Sequence, residues 1–502
     1  MPSSESLRIG GDSARKRINF LYNGRSLSAC EGETIGAALH ASGVKVLSRS
    51  VKYRRPRGLF CMAGNCPNCL MQVDGRPNIR ACVYPVREGA QVCSQSGWPS
   101  TRFDAFASID ALGFLFPIGF PYRYFVRGGW LYHKWERLLR HMAGHGLPRN
   151  GALNGVSASQ VKTSAECEIA VVGAGPAGLA AAQAASSAGC QVALIDEGAR
   201  PGGSLLLDNT AGSRSESRNG QSGGDLLKRL TAAIEGQPNL RSYLRACAFG
   251  YYDDGLLGVL QENHLIKLRS KRLIVATGAY ENPTLAENWD RPGVMLGTAV
   301  QRLLALGIKP GRKAVVTAVN DFGLEVARRL IDSGVEVIAV ADCRSESEQS
   351  RRLAERGVKL LMSHGLKAVR GRASVKAALL APCDQEGRIV SSNGTSVACD
   401  LAVTAGALQP ANELLFQATY KGSYVLESAG TLARVPITGD DMRVDENLYA
   451  AGNAGSIGDL EKSLLEGEIA GLSAALSLKA GSSALKERCE SAKARLSARR
   501  QS

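Results

Sequence analysis

Two stretches of the chain repeat one order of apolar and polar positions. "CEIAVVGAGPAGLAAAQAASSAGCQVALIDEGARPGGSLL" (167–206) runs as an apolar strand, a glycine turn, an alanine-rich helix and a second apolar strand ending at Asp196 and Glu197. "KAVVTAVNDFGLEVARRLIDSGVEVIAVAD" (313–342) is again strand, turn, helix, strand. Apolar strands each followed by a helix predict α/β units of the dinucleotide-binding kind. Two more strands are expected at "LIVATGAYENP" (273–283) and in "LYAAGNAGSIGDLEKSLLEGEIAGLSAAL" (448–476), the latter continuing through a glycine turn into a long helix.

The first hundred residues follow a different rhythm. "INFLYNGRSLSAC" (18–30) predicts two short strands about Asn23-Gly24, a pair suited to the positive φ angles of a tight hairpin. "TIGAALHASG" (34–43) predicts a helix capped by Thr34 and closed by Gly43, and "LMQVDGRPNIRAC" a hairpin turned at Asp74-Gly75. The expected organisation is therefore a β-grasp, ferredoxin-like domain (1–100), an aromatic-rich connector (101–165), a dinucleotide-binding domain (166–298), a second, degenerate one (299–410), and a return to the first with a basic tail (411–502). The polar stretch 208–224 is read as a loop insertion, and the basic end of the chain as a solvated tail.

The chemistry enters with the cysteines. Cys61, Cys66 and Cys69 are spaced C-x4-C-x2-C, and Cys82 follows on the far arm of the expected hairpin. This is the plant-type ferredoxin spacing, in which two thiolates hold each iron of a [2Fe-2S] cluster. Gly64 is expected to relieve crowding inside the loop. Structural zinc competes, although its ligands usually come in paired knuckles, and Cys66-Pro-Asn-Cys69 alone would serve equally as a redox disulfide. Cys30 and Cys93 have no ligand spacing and are read as buried packing residues.

In the first α/β repeat, Gly173, Gly175 and Gly178 form GxGxxG between strand and helix. Gly173 is expected to make the turn, Gly175 to let a pyrophosphate approach, and Gly178 to let helix pack on strand, with Pro176 and Ala177 opening the helix. Asp196, with Glu197 as rival, is placed to bind ribose hydroxyls, and Gly203 lies in the following glycine pair. In the second repeat Thr317 and Val319 are read at the first two glycine positions, with only Gly323 nearby, so a scaffold without nicotinamide is expected.

The formal charge of +15 invites a nucleic-acid or membrane reading, but basic residues gather only locally, in "VKYRRPRG" (51–58) and at the chain end. Such clusters are read as plain surface or a docking patch for an acidic partner. The apolar run "ALGFLFPIGFPYRYFV" (111–126) is broken by prolines and an arginine, so no transmembrane segment is expected. The opening residues carry no secretory signal, which points to a cytoplasmic protein, and the 13 cysteines then favour metal ligation over disulfides. The six histidines show no metalloprotease or triad pattern and are read as surface or capping residues.

With GxGxxG, the strand ending at Thr277-Gly278 and the late motif at Gly452-Asn453, residues 167 to about 480 resemble the two-dinucleotide-binding-domain flavoproteins. That resemblance implies FAD, with Gly452 and Asn453 near its ribityl chain or phosphate; the family usually has Asp where this chain has Asn453. From "RSVKYRRPRGLFC" through "NIRACVYPVREGAQV" to "GARPGGSLL" and "RPGVMLGTAVQRLL", the chain also resembles the α subunits of heterotetrameric sarcosine oxidase and of D-hydroxyproline, proline and opine dehydrogenases. This implies a β subunit of the D-amino-acid-oxidase type carrying the substrate site, FMN at the α/β interface, and FAD, NAD or ATP behind Gly173. Sarcosine oxidase α is about twice as long and lacks the cluster cysteines. The departure points to a dehydrogenase that passes electrons to an acceptor protein or quinone. A stand-alone NAD(P)H-dependent flavin reductase with its own ferredoxin domain is the alternative, and a scaffold protein with vestigial sites a third.

Overall fold

The computed structural model of the chain describes residues 7–9, 15–111, 129–130, 132–134, 136–137, 161–207, 223–262, 264–418, 424–428, 432–479 and 481–501. The aromatic run beyond Ala111, the insertion 208–222, and His141 and His145 lie outside the described residues. The chain forms two compact units. One is built from Met1–Val156 and Pro283–Gly406, and the other from Ser157–Asn209, Ser213–Asn282 and Ala407–Ser502.

The first unit opens with a five-stranded sheet in the order Arg25–Cys30, Arg17–Tyr22, Gln91–Ser94, Leu70–Val73, Arg76–Arg80. Both hairpin turns form at the expected pairs, with Asn23 at φ 47° and Gly24 at 79°, and Asp74 at 49° and Gly75 at 79°. The helix Ile35–Ala41 is capped by Thr34, whose side chain accepts from the Ala37 N–H. Its residues are buried throughout, so this short helix is held by packing rather than by propensity. Beside it stands a five-stranded parallel sheet, Val294–Leu296, Leu401–Ala405, Lys313–Ala318, Glu336–Asp342, Lys359–Met362, and one apolar core runs through both. Where sequence reading separates the ferredoxin-like and second dinucleotide-binding regions, they share that core.

His40 contributes to this shared interior. It is buried, and its ring Nε2–H donates to the Pro310 carbonyl at 3.0 Å, which corrects the surface or capping reading. Cys30 is buried as expected, whereas Cys93 is exposed.

The second unit centres on parallel strands Leu240–Leu244, Val192–Asp196, Val161–Val172, His264–Val275 and Leu448–Ala450, extended by an antiparallel meander. The first strand begins at Val161, inside the stretch read as connector. The chain end is not a solvated tail. Ser483–Gln501 is a helix whose Leu485, Cys489, Ala492 and Leu496 are buried in the core, while Arg495 pairs with Glu468 at 3.3 Å and Arg499 with Asp459 and Glu461. The spacing of these four residues is that of one helix face, hidden in the sequence by the arginines and lysines between them. Among the described residues no helix is long and apolar enough to cross a membrane.

Candidate cofactor sites

The four thiols converge. Cys61, Cys69 and Cys82 are buried and Cys66 is half-buried. Cys61 Sγ lies 3.3 Å from Cys66 Sγ, and Cys82 is hydrogen-bonded to both Cys61 and Cys69. Backbone N–H groups of Ala63 and Asn65 point at Cys61, that of Asn68 at Cys66, and those of Ala81 and Cys82 at Cys69. Contact with Cys66 holds the Cys61 thiol well below its ordinary value, and contact with Cys82 lowers Cys69. The same contacts, together with burial, push Cys66 and Cys82 up. Four sulfurs in contact with one another and ringed by backbone N–H groups form a donor set able to take cations.

The contacts run from Cys66 to Cys61 to Cys82 to Cys69, so all four sulfurs form one connected set, the number that a binuclear cluster with two thiolates per iron requires. Among the described residues no group of three or more His, Cys, Asp or Glu side chains is placed to hold a single metal ion. Backbone N–H groups aimed at sulfur are the groups that tune such a cluster. Gly64 serves the loop for another reason than crowding. A Cβ there would sit at ordinary distances, 3.5 Å from Val83, but its φ of +75° favours glycine.

The loop is anchored by residues that motif reading missed. Leu296 N–H donates to the Phe60 carbonyl at 3.0 Å and Arg302 to the Met62 carbonyl at 3.3 Å. The basic cluster before the loop is not a free patch. Arg54 is buried against Asp104 at 2.8 Å, Arg55 pairs with Asp110 at 2.6 Å, and Arg57 pairs with Asp290.

In the second unit the glycine turn is tight on one side and open on the other. A Cβ on Gly173, at φ +105°, would lie 2.2 Å from the Ala276 carbonyl, and one on Gly178 1.7 Å from that of Gly173. At Gly175 the nearest atom would be Gly203 Cα at 3.9 Å, so space stands in front of the helix Pro176–Ser187. That helix has no side-chain cap, leaving its first N–H groups for an anion. Gly203, at φ +53°, packs against Gly175 with no room for a side chain.

The two carboxylates at the strand end differ. Asp196 accepts from Ala174 N–H at 2.6 Å and Gly198 N–H at 2.7 Å, fixing the turn, while Glu197 is exposed beside it. Of the two, Glu197 is the carboxylate that faces outward. Thr277 hydrogen-bonds to the Ala411 carbonyl, and at Gly278, φ +78°, a Cβ would meet open space.

Gly452 and Asn453 lie in a short 3₁₀ turn ahead of the helix Leu460–Leu478. Asn453 Oδ1 accepts from Gly458 N–H at 3.0 Å, a bond an aspartate would also accept. Behind the turn sits Glu466, 2% exposed, accepting from Gly452 N–H at 3.0 Å and from the Ser456 hydroxyl at 3.2 Å. Its signal in the sequence was a lone acid in an otherwise apolar helix face. Gly467 and Gly471 bring this helix onto the fingerprint helix. Cβ atoms there would stand 2.1 Å from Ala177 O and 2.4 Å from Ala181 O.

The second α/β repeat closes differently. Gly323 packs on Ala318, where a Cβ would meet the Ala318 methyl at 2.5 Å, so Ala318 and Asn320 occupy the first two glycine positions. This corrects the register that placed Thr317 and Val319 there. Thr317 is buried and donates to the Val403 carbonyl at 3.0 Å. Across the strand ends Arg344 joins Asp342 at 2.9 Å to Asp321 at 2.8 Å on the helix. Cys343 Sγ touches Gln385 O at 3.6 Å, and Gly387 lies against Val319.

Comparison with known proteins finds a family match over each of the two regions. Residues 15–97 match the 2Fe-2S iron-sulfur cluster binding domain family, and residues 167–467 the pyridine nucleotide-disulphide oxidoreductase family. The chain is 32% identical over 470 residues to the sarcosine oxidase alpha chain of Rhizobium meliloti strain 1021, covering 90% of this chain and 45% of that one. It is 26% identical to an opine oxidase chain of Agrobacterium tumefaciens strain Ach5, over 62% of this chain and 66% of that one. It therefore spans less than half the length of its sarcosine oxidase relatives. The crystal structure of L-proline dehydrogenase from P. horikoshii shares the fold, with a TM-score of 0.64 and 21% identity over 97% of this chain and 78% of that one. The family matches identify the chain's cofactors as a [2Fe-2S] cluster and FAD. The chain belongs to the pyridine nucleotide-disulphide oxidoreductase family, with a 2Fe-2S iron-sulfur cluster binding domain ahead of that region.

Proposed function

We propose that this chain is the electron-transfer alpha subunit of a heteromeric flavin-dependent amine or imino-acid dehydrogenase, of the sarcosine, hydroxyproline, proline or opine type. The observation that carries the reading is the convergence of four thiols, Cys61, Cys66, Cys69 and Cys82, in a chain that also presents an open dinucleotide cradle at Gly175. FAD accepts a hydride and gives up its electrons singly, and a [2Fe-2S] cluster takes one electron at a time.

The residues divide the work. Cys61, Cys66, Cys69 and Cys82 hold the irons, and the N–H groups around them stabilise negative charge on sulfur. Gly173, Gly175, Pro176, Ala177 and Gly178 present the helix N-terminus to the pyrophosphate, with Glu197 and Asp196 at the ribose and Gly203 keeping the approach clear. Thr277, Gly278, Gly452 and Asn453 line the flavin end, where Glu466 fixes the turn. Substrate oxidation belongs to a beta subunit of the D-amino-acid-oxidase type, with FMN at the interface and an acceptor protein or quinone beyond. The complex works in the cytoplasm or at the inner membrane's cytoplasmic face.

The second repeat favours this over an NAD(P)H-fed flavin reductase. Side chains at Ala318 and Asn320 hold a pyrophosphate off the backbone, and the Arg344 bridge from Asp342 to Asp321 occupies the strand ends where a nucleotide would lie. The test is co-purification with the beta subunit, followed by iron, labile sulfide and flavin analysis. Cys66→Ser with Cys69→Ser should remove the iron and stop transfer to the acceptor. Bleaching of the flavin by NADH in the isolated chain, or undiminished turnover without iron, would overturn the proposal.

A further inference from the structure

Cys66 is the one half-buried thiol of the four, and it lies on the wall of a cavity of about 450 Å³. That volume is typical of small-molecule sites. Trp289 and Phe60 line the cavity, their ring centroids 5.2 Å apart and tilted by 57°. Such faces take a flat conjugated ring. Arg55 and Arg57 supply N–H donors from another wall.

The polar groups there are unequal in number. Arg55, Arg57 and Arg291 surround two carboxylates, Asp110 and Asp290, which leaves one positive charge in excess. Asp290 Oδ1 is nevertheless buried without a hydrogen-bond partner. A buried acceptor left unpaired is unfavourable, so a ligand that brings a donor is favoured. The ligand should thus be planar, carry oxygens that accept from guanidinium N–H, and in another state offer an O–H to Asp290.

We propose that this cavity binds the head group of a quinone beside Cys66 and is the place of its reduction. The carbonyl oxygens of the oxidised ring accept from Arg55 and Arg57, and one hydroxyl of the reduced ring donates to Asp290. Two electrons reach the ring singly at the Cys66 side, originating in the amine donor, and two protons come from solvent. The two C=O groups thereby become C–OH. The transfer step rests on the cluster reading above; the binding step does not.

The probe is menadione, a naphthoquinone, titrated into the purified complex while tryptophan fluorescence is followed. Binding should quench the emission of Trp289, and Trp289→Phe should abolish that part of the quench. Ala286→Leu, which fills the cavity without touching a thiol, should weaken binding at least tenfold. Iron and labile sulfide should stay at parent values in both variants. Equal menadione affinity in parent and Ala286→Leu would overturn the proposal, as would cavity variants whose sole defect is in assembly of the complex. Menadione binding by a parent protein that holds no iron would keep the site and remove the transfer step, separating the two readings.

Discussion

The two α/β repeats, 167–196 and 313–342, start from the same strand-turn-helix-strand plan and end with opposite sites. In the first, glycines at 173, 175 and 178 let the turn press against Ala276 while leaving space in front of Gly175. In the second, only Gly323 is kept, because helix and strand must still meet there, and Ala318 and Asn320 stand where approach to a phosphate needs bare backbone. The acids at the strand ends diverge too. Asp196 is held by two backbone N–H groups with Glu197 exposed beside it, whereas Asp342 is 1% exposed and clamped by Arg344. The tight turn demands the first glycine, approach of a pyrophosphate the second, and helix-on-strand packing the third.

That contrast can be broken most forcefully at Gly173. Gly173→Ala places a Cβ 2.2 Å from Ala276 O at φ +105°, so we expect a loss on the order of 3 kcal/mol and loss of bound flavin. Gly323→Ala would press a Cβ to 2.5 Å from the Ala318 methyl and 2.8 Å from its Cα, but without a positive φ; thermal unfolding should show a smaller cost, about 1–2 kcal/mol, with flavin content unchanged.

Acid separates the units next. Burial holds His40, in the unit carrying the second repeat, down at about 4 from an ordinary 6.5. A base whose folded value is depressed favours the neutral folded form, so its stabilisation is complete above pH 6.5 and is lost as pH falls towards 4. The loss should approach about 3 kcal/mol, measured by denaturant titration across that range, and His40→Gln should flatten the dependence.

Arg344→Ala leaves the buried Asp342 unpaired. Because Arg344 is itself a third exposed, the cost should be about 2 kcal/mol, read by urea unfolding. Equilibrium dialysis should still find no NADH bound, since Ala318 and Asn320 remain. The smallest effect is expected at Asn453→Asp, where the bond from Gly458 N–H survives. Stability should change by less than about 0.5 kcal/mol, and flavin retention should not fall.

Much of this was legible before the fold. Positive-φ pairs at Asn23-Gly24 and Asp74-Gly75, the cap at Thr34, and the glycines of the first repeat are local requirements, and each is met locally. Misreadings arose where a residue's role depends on distant neighbours. The arginines of "VKYRRPRG" find their carboxylates at Asp104, Asp110 and Asp290, and His40 finds its acceptor at Pro310. The one-residue slip in the second repeat came from counting glycines without the contact between Gly323 and Ala318 that sets the register.

Sequence alone determined the four thiols, their spacing, and the glycine turn with its helix, because turn geometry and ligand spacing act over a few covalently linked residues. Tertiary structure decided which arginines are neutralised, which carboxylate faces outward, and that Cys66 looks onto an aromatic and guanidinium-lined cavity. Those properties are sums over side chains brought together from hundreds of residues apart, and burial and charge pairing take their values only once the chain has folded.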